Sequence, residues 1–259
     1  MQIFSKKPSI LFSIISLAFF ELFLFSMLEI SPWNIGFGKN SFWLLAFLNL
    51  LINSVFVIYL VTAKRIENKS YFRYILPMLL NFSLLGFLFF SSNFLFNQLI
   101  IAISFISFIF IFLNITNKTT FVFTNVVSFF TVFLFLFDSY SLFYVMDIPY
   151  WISMFIVALS SVMILIYKLK HIKINTNYLY TLVFLFAIII SELFLFSFFW
   201  PIQSIIIKSL ILLFVYYIFW GFSDLYLNTK LTVSSILKYI LFVAIISFLT
   251  IGSFFIKIK

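Results

Sequence analysis

The sequence predicts an all-α, polytopic transmembrane helix bundle, and three observations predict it. Apolar residues fill 65% of the 259 positions and charged residues only 9%, whereas a soluble domain is nearer half apolar and a quarter charged. The apolar residues gather in runs of roughly 20, the length that crosses hydrocarbon as a helix. The basic residues fall between those runs and alternate in density from one side to the other. Backbone exposed to lipid must satisfy its own hydrogen bonds, so runs of this length are helices and not open strands.

In chain order the expected spans are 9–29, 41–62, 72–91, 97–114, 120–137, 149–167, 178–198, 201–221 and 236–255. The first follows Lys6 and Lys7 in the manner of a signal peptide, but Glu21 interrupts it and no small-x-small cleavage site follows, so it reads as a retained span. Ser31-Pro32-Trp33-Asn34 with Gly36 and Gly38 marks the first outer turn. The segment from Asp138 to Pro149 reads as a second outer loop, with Tyr140, Tyr144, Tyr150 and Trp151 as headgroup-level anchors. Asp138 and Asp147 are then solvated loop carboxylates, and His171 is a solvated residue of a Lys-rich loop. Pro201 suits the first turn of a helix, which makes 199–201 a tight hairpin.

Nine spans with a cytoplasmic N-terminus put twelve Lys and Arg residues inside. Three, Lys39, Lys257 and Lys259, fall outside, and Lys208 lies within a span. That asymmetry sets the orientation. Eight spans result if the last helix is re-entrant or interfacial. The whole chain, 1–259, reads as one integral membrane domain.

Several function classes drop out on composition. With no cysteine there are no thiolate metal sites, Cys nucleophiles or disulfides. A single histidine leaves no His-ligated metal centre, and no cofactor is expected. The net charge of +9 is dispersed between apolar runs rather than striped along a face, which argues against nucleic acid. No Gly-rich phosphate loop, G-x-S-x-G or Asp-rich motif occurs, so an enzyme is not expected. The expected partners are membrane lipids, with a small solute or a partner membrane protein as the functional contact.

Charges inside hydrocarbon are the most informative residues, because each costs a few kcal/mol on insertion scales. Glu21, Glu192 and Lys208 qualify. Glu192 lies eight residues before Trp200 and Lys208 eight after it. A tight hairpin at Pro201 would set both roughly 10 Å below the outer surface at about 1.5 Å per residue, with Glu21 at a similar depth. The expectation is a Glu192–Lys208 pair with Glu21 in the same polar cluster. Asn49 and Asn53, four apart on the second span, complete the candidate intramembrane polar site. Thr120, Thr124, Ser128 and Thr131 form a polar stripe at helical spacing, suited to hydrogen bonds between helices.

Glu21-Leu-Phe-Leu-Phe-Ser26 recurs as Glu192-Leu-Phe-Leu-Phe-Ser197, followed by Pro32 and Pro201 respectively, a weak repeat of the first and seventh spans of the sort that duplicated membrane folds carry. The longer run Glu192-Leu-Phe-Leu-Phe-Ser-Phe-Phe-Trp-Pro201, with Leu231-Thr232 after the next helix, resembles a segment of uncharacterised multi-pass membrane proteins of small-genome bacteria. That resemblance covers about 40 residues and implies an all-helical protein of the bacterial cytoplasmic (inner) membrane, with no activity attached. The expected function is transporter- or permease-like, with the polar site in the outer half of the bilayer. The alternative is a non-catalytic membrane subunit or scaffold of an envelope assembly.

Overall fold

The computed structural model describes residues 13–21, 47, 48, 51, 55, 75–91, 93–116, 121–169, 176–200, 204–227, 234, 237 and 241. Among them every regular element is helical and no strand occurs. The helices are α1 (Ile75–Phe90), α2 (Phe94–Thr116), α3 (Phe121–Met146), α4 (Tyr150–Leu169), α5 (Thr176–Phe196) and α6 (Ile205–Leu227), with a 3₁₀ turn at Ser197–Phe199 after α5. Residues 13–21 are also helical. The spans expected at 9–29, 41–62 and 236–255 lie mostly outside the described residues.

Five helices, α2 to α6, are long and apolar enough to cross a membrane. The surface they expose supports that reading. Leu95 is 79% exposed, and Phe155, Phe184 and Val126 are exposed comparably. Water would penalise such apolar stripes heavily, whereas lipid does not.

The boundaries follow from local chemistry. In α1, Pro77 takes the third position, where its missing N–H breaks no helical bond. The start of α2 is set by Asn93, whose Oδ1 accepts the Phe96 N–H at 3.1 Å, an N-cap that satisfies an otherwise orphaned donor. That places the helix start three residues ahead of the expected position 97. The end of α3 is set by Asp147, which adopts φ 51°. Asp tolerates this left-handed conformation better than most residues. The chain reverses there, and the Ile148 N–H reaches back to the Leu142 carbonyl at 3.3 Å.

The chain divides into two compact units, 1–134 and 135–259, with the division inside α3. In the first unit, α1 packs on α2, where Phe87 meets Phe96 at 5.6 Å between ring centroids, and Leu80, Leu84 and Phe87 of α1 are buried. From the 13–21 helix, Phe20 is buried and stacks on Phe108 at 6.3 Å. In the second unit, α4 and α5 form the most extensive pair among the described helices, and α6 packs on α5. The buried stripe of α5 is Val183, Phe186, Ile190 and Phe194, continued by Ser197 of the 3₁₀ turn. Its exposed stripe is Phe184, Leu185, Ile188, Glu192 and Phe196.

The fifth expected span, 120–137, is corrected by the structure. The helix continues through Asp138 to Met146, and everything from Thr131 to Ser141 is buried. Asp138, Ser139 and Ser141 read as loop punctuation, but polar side chains alone do not end a helix. Ser139 Oγ donates to the Phe135 carbonyl at 2.7 Å, satisfying itself on its own helix. The first helix-breaking residue is Pro149, and α3 runs almost to it.

Candidate functional site

At the end of the second unit where α3 finishes and α6 begins, aromatic and polar side chains converge. Tyr140 is fully buried among protein side chains, so its ring is not presented to lipid headgroups as the sequence suggested. Its hydroxyl hydrogen-bonds Ser197 Oγ, and Ser197 Oγ donates to the Phe194 carbonyl at 2.5 Å. Since the serine proton is used on that carbonyl, Tyr140 is the donor in the first bond, and a directed relay runs from α3 to the last turn of α5. Around it, Phe198 packs against Tyr140, Phe143, Tyr144 and Phe194, with ring centroids 4.5–5.9 Å apart. Such edge and tilted contacts add to the apolar burial. The recurrent Glu-Leu-Phe-Leu-Phe-Ser segment thereby acquires a structural reason in its second copy. Phe194 and Ser197 face inward to Tyr140, while Glu192 and Phe196 face outward. The first copy lies outside the described residues beyond Glu21.

Lys208 is only 2% exposed, and its Nζ donates to the Tyr144 hydroxyl at 2.9 Å. The ammonium also stands 5.3 Å from the Tyr144 ring centre and 6.0 Å from that of Phe198, within the range where an aromatic face attracts a cation. This is not the partner the sequence suggested. Glu192 is exposed on the opposite stripe of α5, and among the described residues no ion pair joins it to Lys208. The expected pair rested on α6 beginning at Pro201. Instead the 3₁₀ turn occupies Ser197–Phe199, and α6 begins at Ile205. Lys208 therefore sits in the first turn of its helix, about 4.5 Å along it at 1.5 Å per residue, close to the end and not deep in the span.

Glu21 has a partner that the sequence did not single out. Gln98 Nε2 on α2 donates to its Oε2 at 2.8 Å, so a half-buried carboxylate of the first unit is held by an amide. Asn49 and Asn53 lie outside the described residues. Of the polar stripe, Ser128 and Thr131 are buried. Thr131 Oγ1 bonds the Val127 carbonyl at 2.8 Å, so it is satisfied on its own helix rather than between helices. Thr120, and the side chain of Thr124, lie outside the described residues.

The residue that sequence reasoning missed is Asp138. It is 6% exposed and sits in the stretch of α3 that is buried on every side. Its Oδ1 has no hydrogen-bond partner among the described residues, and neither does Oγ of Ser141, one turn further along the same face. Counted along α3, Asp138 is about 12 Å from the Met146 end and about 9 Å deeper than Tyr144. A signal was available: no Gly or Pro separates Asp138 from Met146, so nothing required the helix to stop. Buried polar groups in native proteins are almost always partnered, and Asp138 and Ser141 are two of the buried side chains with an unpartnered polar atom among the described residues, distinguished by lying one turn apart on one helix face and by the carboxyl.

Among the described residues no cluster of three or more metal-ligating side chains occurs. Glu192 opens onto a groove of about 570 Å³ lined by Met154 of α4, Ile189, Leu193, Leu195 and Phe196 of α5, and Phe219 of α6. Comparison of the chain with protein-family models, curated proteins and solved structures finds no match.

Proposed function

We propose that the chain is a multi-pass integral membrane protein of the transporter or permease kind, with Asp138 and Ser141 on α3 as its solute or ion contact. The Tyr144–Lys208 pair forms the polar entrance at the helix ends. One observation carries this reading: a carboxyl without a partner among the described residues lies in the most enclosed segment of a helix long enough to cross a membrane. Packing gains nothing from a carboxyl there, because an apolar residue of similar volume would serve the fold better. Ionisable side chains inside membrane helices mark solute, ion or proton paths by default. The site thus moves from the cluster expected around Glu21, Glu192 and Lys208 to the interior of α3.

The reading keeps nine spans and a cytoplasmic N-terminus, supported by the twelve-to-three division of basic residues. It keeps the bacterial cytoplasmic membrane on the resemblance of the Glu192–Pro201 segment, and no enzymatic activity is part of it. The second reading, a membrane subunit of an envelope assembly, is favoured by Glu192 on an exposed apolar stripe.

The natural absence of cysteine makes the test direct. Ser141→Cys in reconstituted vesicles is treated with a charged, membrane-impermeant thiol reagent, with Leu136→Cys as a buried control on the opposite face of α3. Modification of position 141 from one side of the bilayer, with position 136 inert, is expected of a water-accessible solute site. Equal inertness at both positions would remove the permease reading.

A further inference from the structure

The α3 site is shut in this structure. Asp138 and Ser141 are both buried, and the next residue along their row on α3 is Tyr144. Side chains of a helix lean back toward its N-terminus, so the Tyr144 side chain lies over the turn that carries Ser141. Tyr144 is itself 44% exposed, so enclosure does not hold it there, and three contacts do. Its hydroxyl accepts a hydrogen bond from Lys208 Nζ at 2.9 Å. Its ring meets Phe143 at 5.1 Å and Phe198 at 5.9 Å between centroids.

Two of these contacts come from either side of the α5–α6 connection. Phe198 is the middle residue of the 3₁₀ turn, which is closed by the Trp200 N–H on the Ser197 carbonyl at 3.2 Å, and Trp200 beyond it is extended. Such short turns have poorer hydrogen-bond geometry than α-helix and often serve as hinges. Lys208 lies in the first turn of α6, and its ammonium stands 5.3 Å and 6.0 Å from the Tyr144 and Phe198 ring centres. Packing does not ask for a charge there, because a methionine would fill the same space without the cost of taking an ammonium out of water. The same side chains have a second favourable arrangement. One turn from its helix end, Lys208 reaches the headgroup layer by extending its stem, and a tyrosine turned outward at that level takes the place that interfacial aromatic residues prefer.

We propose that Tyr144 is the gate of the α3 site and Lys208 its latch. Closed, the ammonium holds the Tyr144 hydroxyl, Phe198 seats the ring, and Ser141 and Asp138 are covered. Open, the ammonium is hydrated among the headgroups and the released ring turns outward, which uncovers Ser141. Opening exchanges one hydrogen bond and two ring contacts for hydration of a charge, so each state has its own compensation. The gate rests on the reading of Asp138 and Ser141 as the solute contact.

The test follows the rate at which Ser141→Cys, the chain's sole cysteine, reacts with membrane-impermeant thiol reagents in phosphatidylcholine proteoliposomes of the full chain. Lys208→Met keeps an unbranched stem and removes the ammonium, whereas Tyr144→Phe keeps the ring and removes the acceptor. Each is expected to raise the rate about tenfold, the worth of one hydrogen bond to a charged group, with cationic and anionic reagents alike. The double variant is expected to go no further, since both changes break the same bond. Leu136→Cys should stay inert throughout. Acceleration by only one variant, additive acceleration in the double variant, or effects of opposite sign for the two reagents would overturn the latch. Equal acceleration at position 136 overturns it too, because a loosened bundle would then be the cause. If position 141 reacts in the parent and neither variant changes its rate, the gate is wrong and the solute site stands; inertness of position 141 in the parent and in every variant removes both.

Discussion

Removing either end of the Tyr140–Ser197 relay should have unequal consequences. In Tyr140→Phe the ring stays in place against Phe194 and Phe198, and Ser197 keeps its bond to the Phe194 carbonyl. Only one net hydrogen bond is lost, about 1 kcal/mol, in the range measured between membrane helices. Ser197→Ala instead leaves the Tyr140 hydroxyl in a fully buried site with no acceptor. Stranding a buried polar group costs about 1–3 kcal/mol, so about 2 kcal/mol is expected. The double variant removes the stranded hydroxyl and should return to about 1 kcal/mol, a coupling of about 2 kcal/mol in a double-mutant cycle. Reversible unfolding in bicelles measures all three. A Tyr140→Phe loss equal to or larger than that of Ser197→Ala would refute the directed relay. Strict additivity would show that the two side chains do not depend on each other.

Three further outcomes follow from the same geometry. Tyr144→Phe removes the acceptor for Lys208 but keeps the ring, whereas Tyr144→Leu removes both; the same unfolding assay should show a further loss of about 0.5–1 kcal/mol for Leu, and equal losses would leave the ring without a role. Glu21→Gln retains an acceptor for the Gln98 amide and should cost under about 1 kcal/mol, while Gln98→Leu strands a half-buried carboxylate and should cost about 2 kcal/mol; the reverse order in that assay would contradict the pairing. Because α3 and α4 both have the length of spans, a reporter inserted at Asp147 should register outside and one after Leu169 should register in the cytoplasm; the same side for both would remove α4 as a span.

The helical class and the cores of α1 to α6 were legible in the sequence because apolar run length is itself the physical requirement of a spanning helix. What could not be read is the rotation of each helix about its axis. These helices are apolar on nearly all sides, so no polar face points away from the core, and nothing in the spacing of Glu192 and Lys208 says that one faces outward and the other inward. Depth failed for a related reason. Counting residues from Trp200 assumed continuous α-helix on both sides of Pro201, and the 3₁₀ turn and the later start of α6 broke that assumption. Asp138 was misplaced because a carboxylate was weighed as a boundary signal, although only Pro149 and the left-handed Asp147 end the helix. Glu21 and Gln98 are 77 positions apart in sequence, a pairing that only packing of the 13–21 helix on α2 could reveal.

The assignment of α3 as the functional helix stands on Asp138 serving something other than the fold, and its stability contribution decides this. Asp138→Leu and Asp138→Asn should be compared with the parent by unfolding in bicelles at neutral pH. Removing a buried, unpartnered carboxyl from an apolar enclosure relieves its desolvation, so both variants should be at least as stable as the parent, Asp138→Leu by about 1–2 kcal/mol more. A loss of about 2 kcal/mol or more in both variants would contradict the assignment and make Asp138 a structural residue of the bundle.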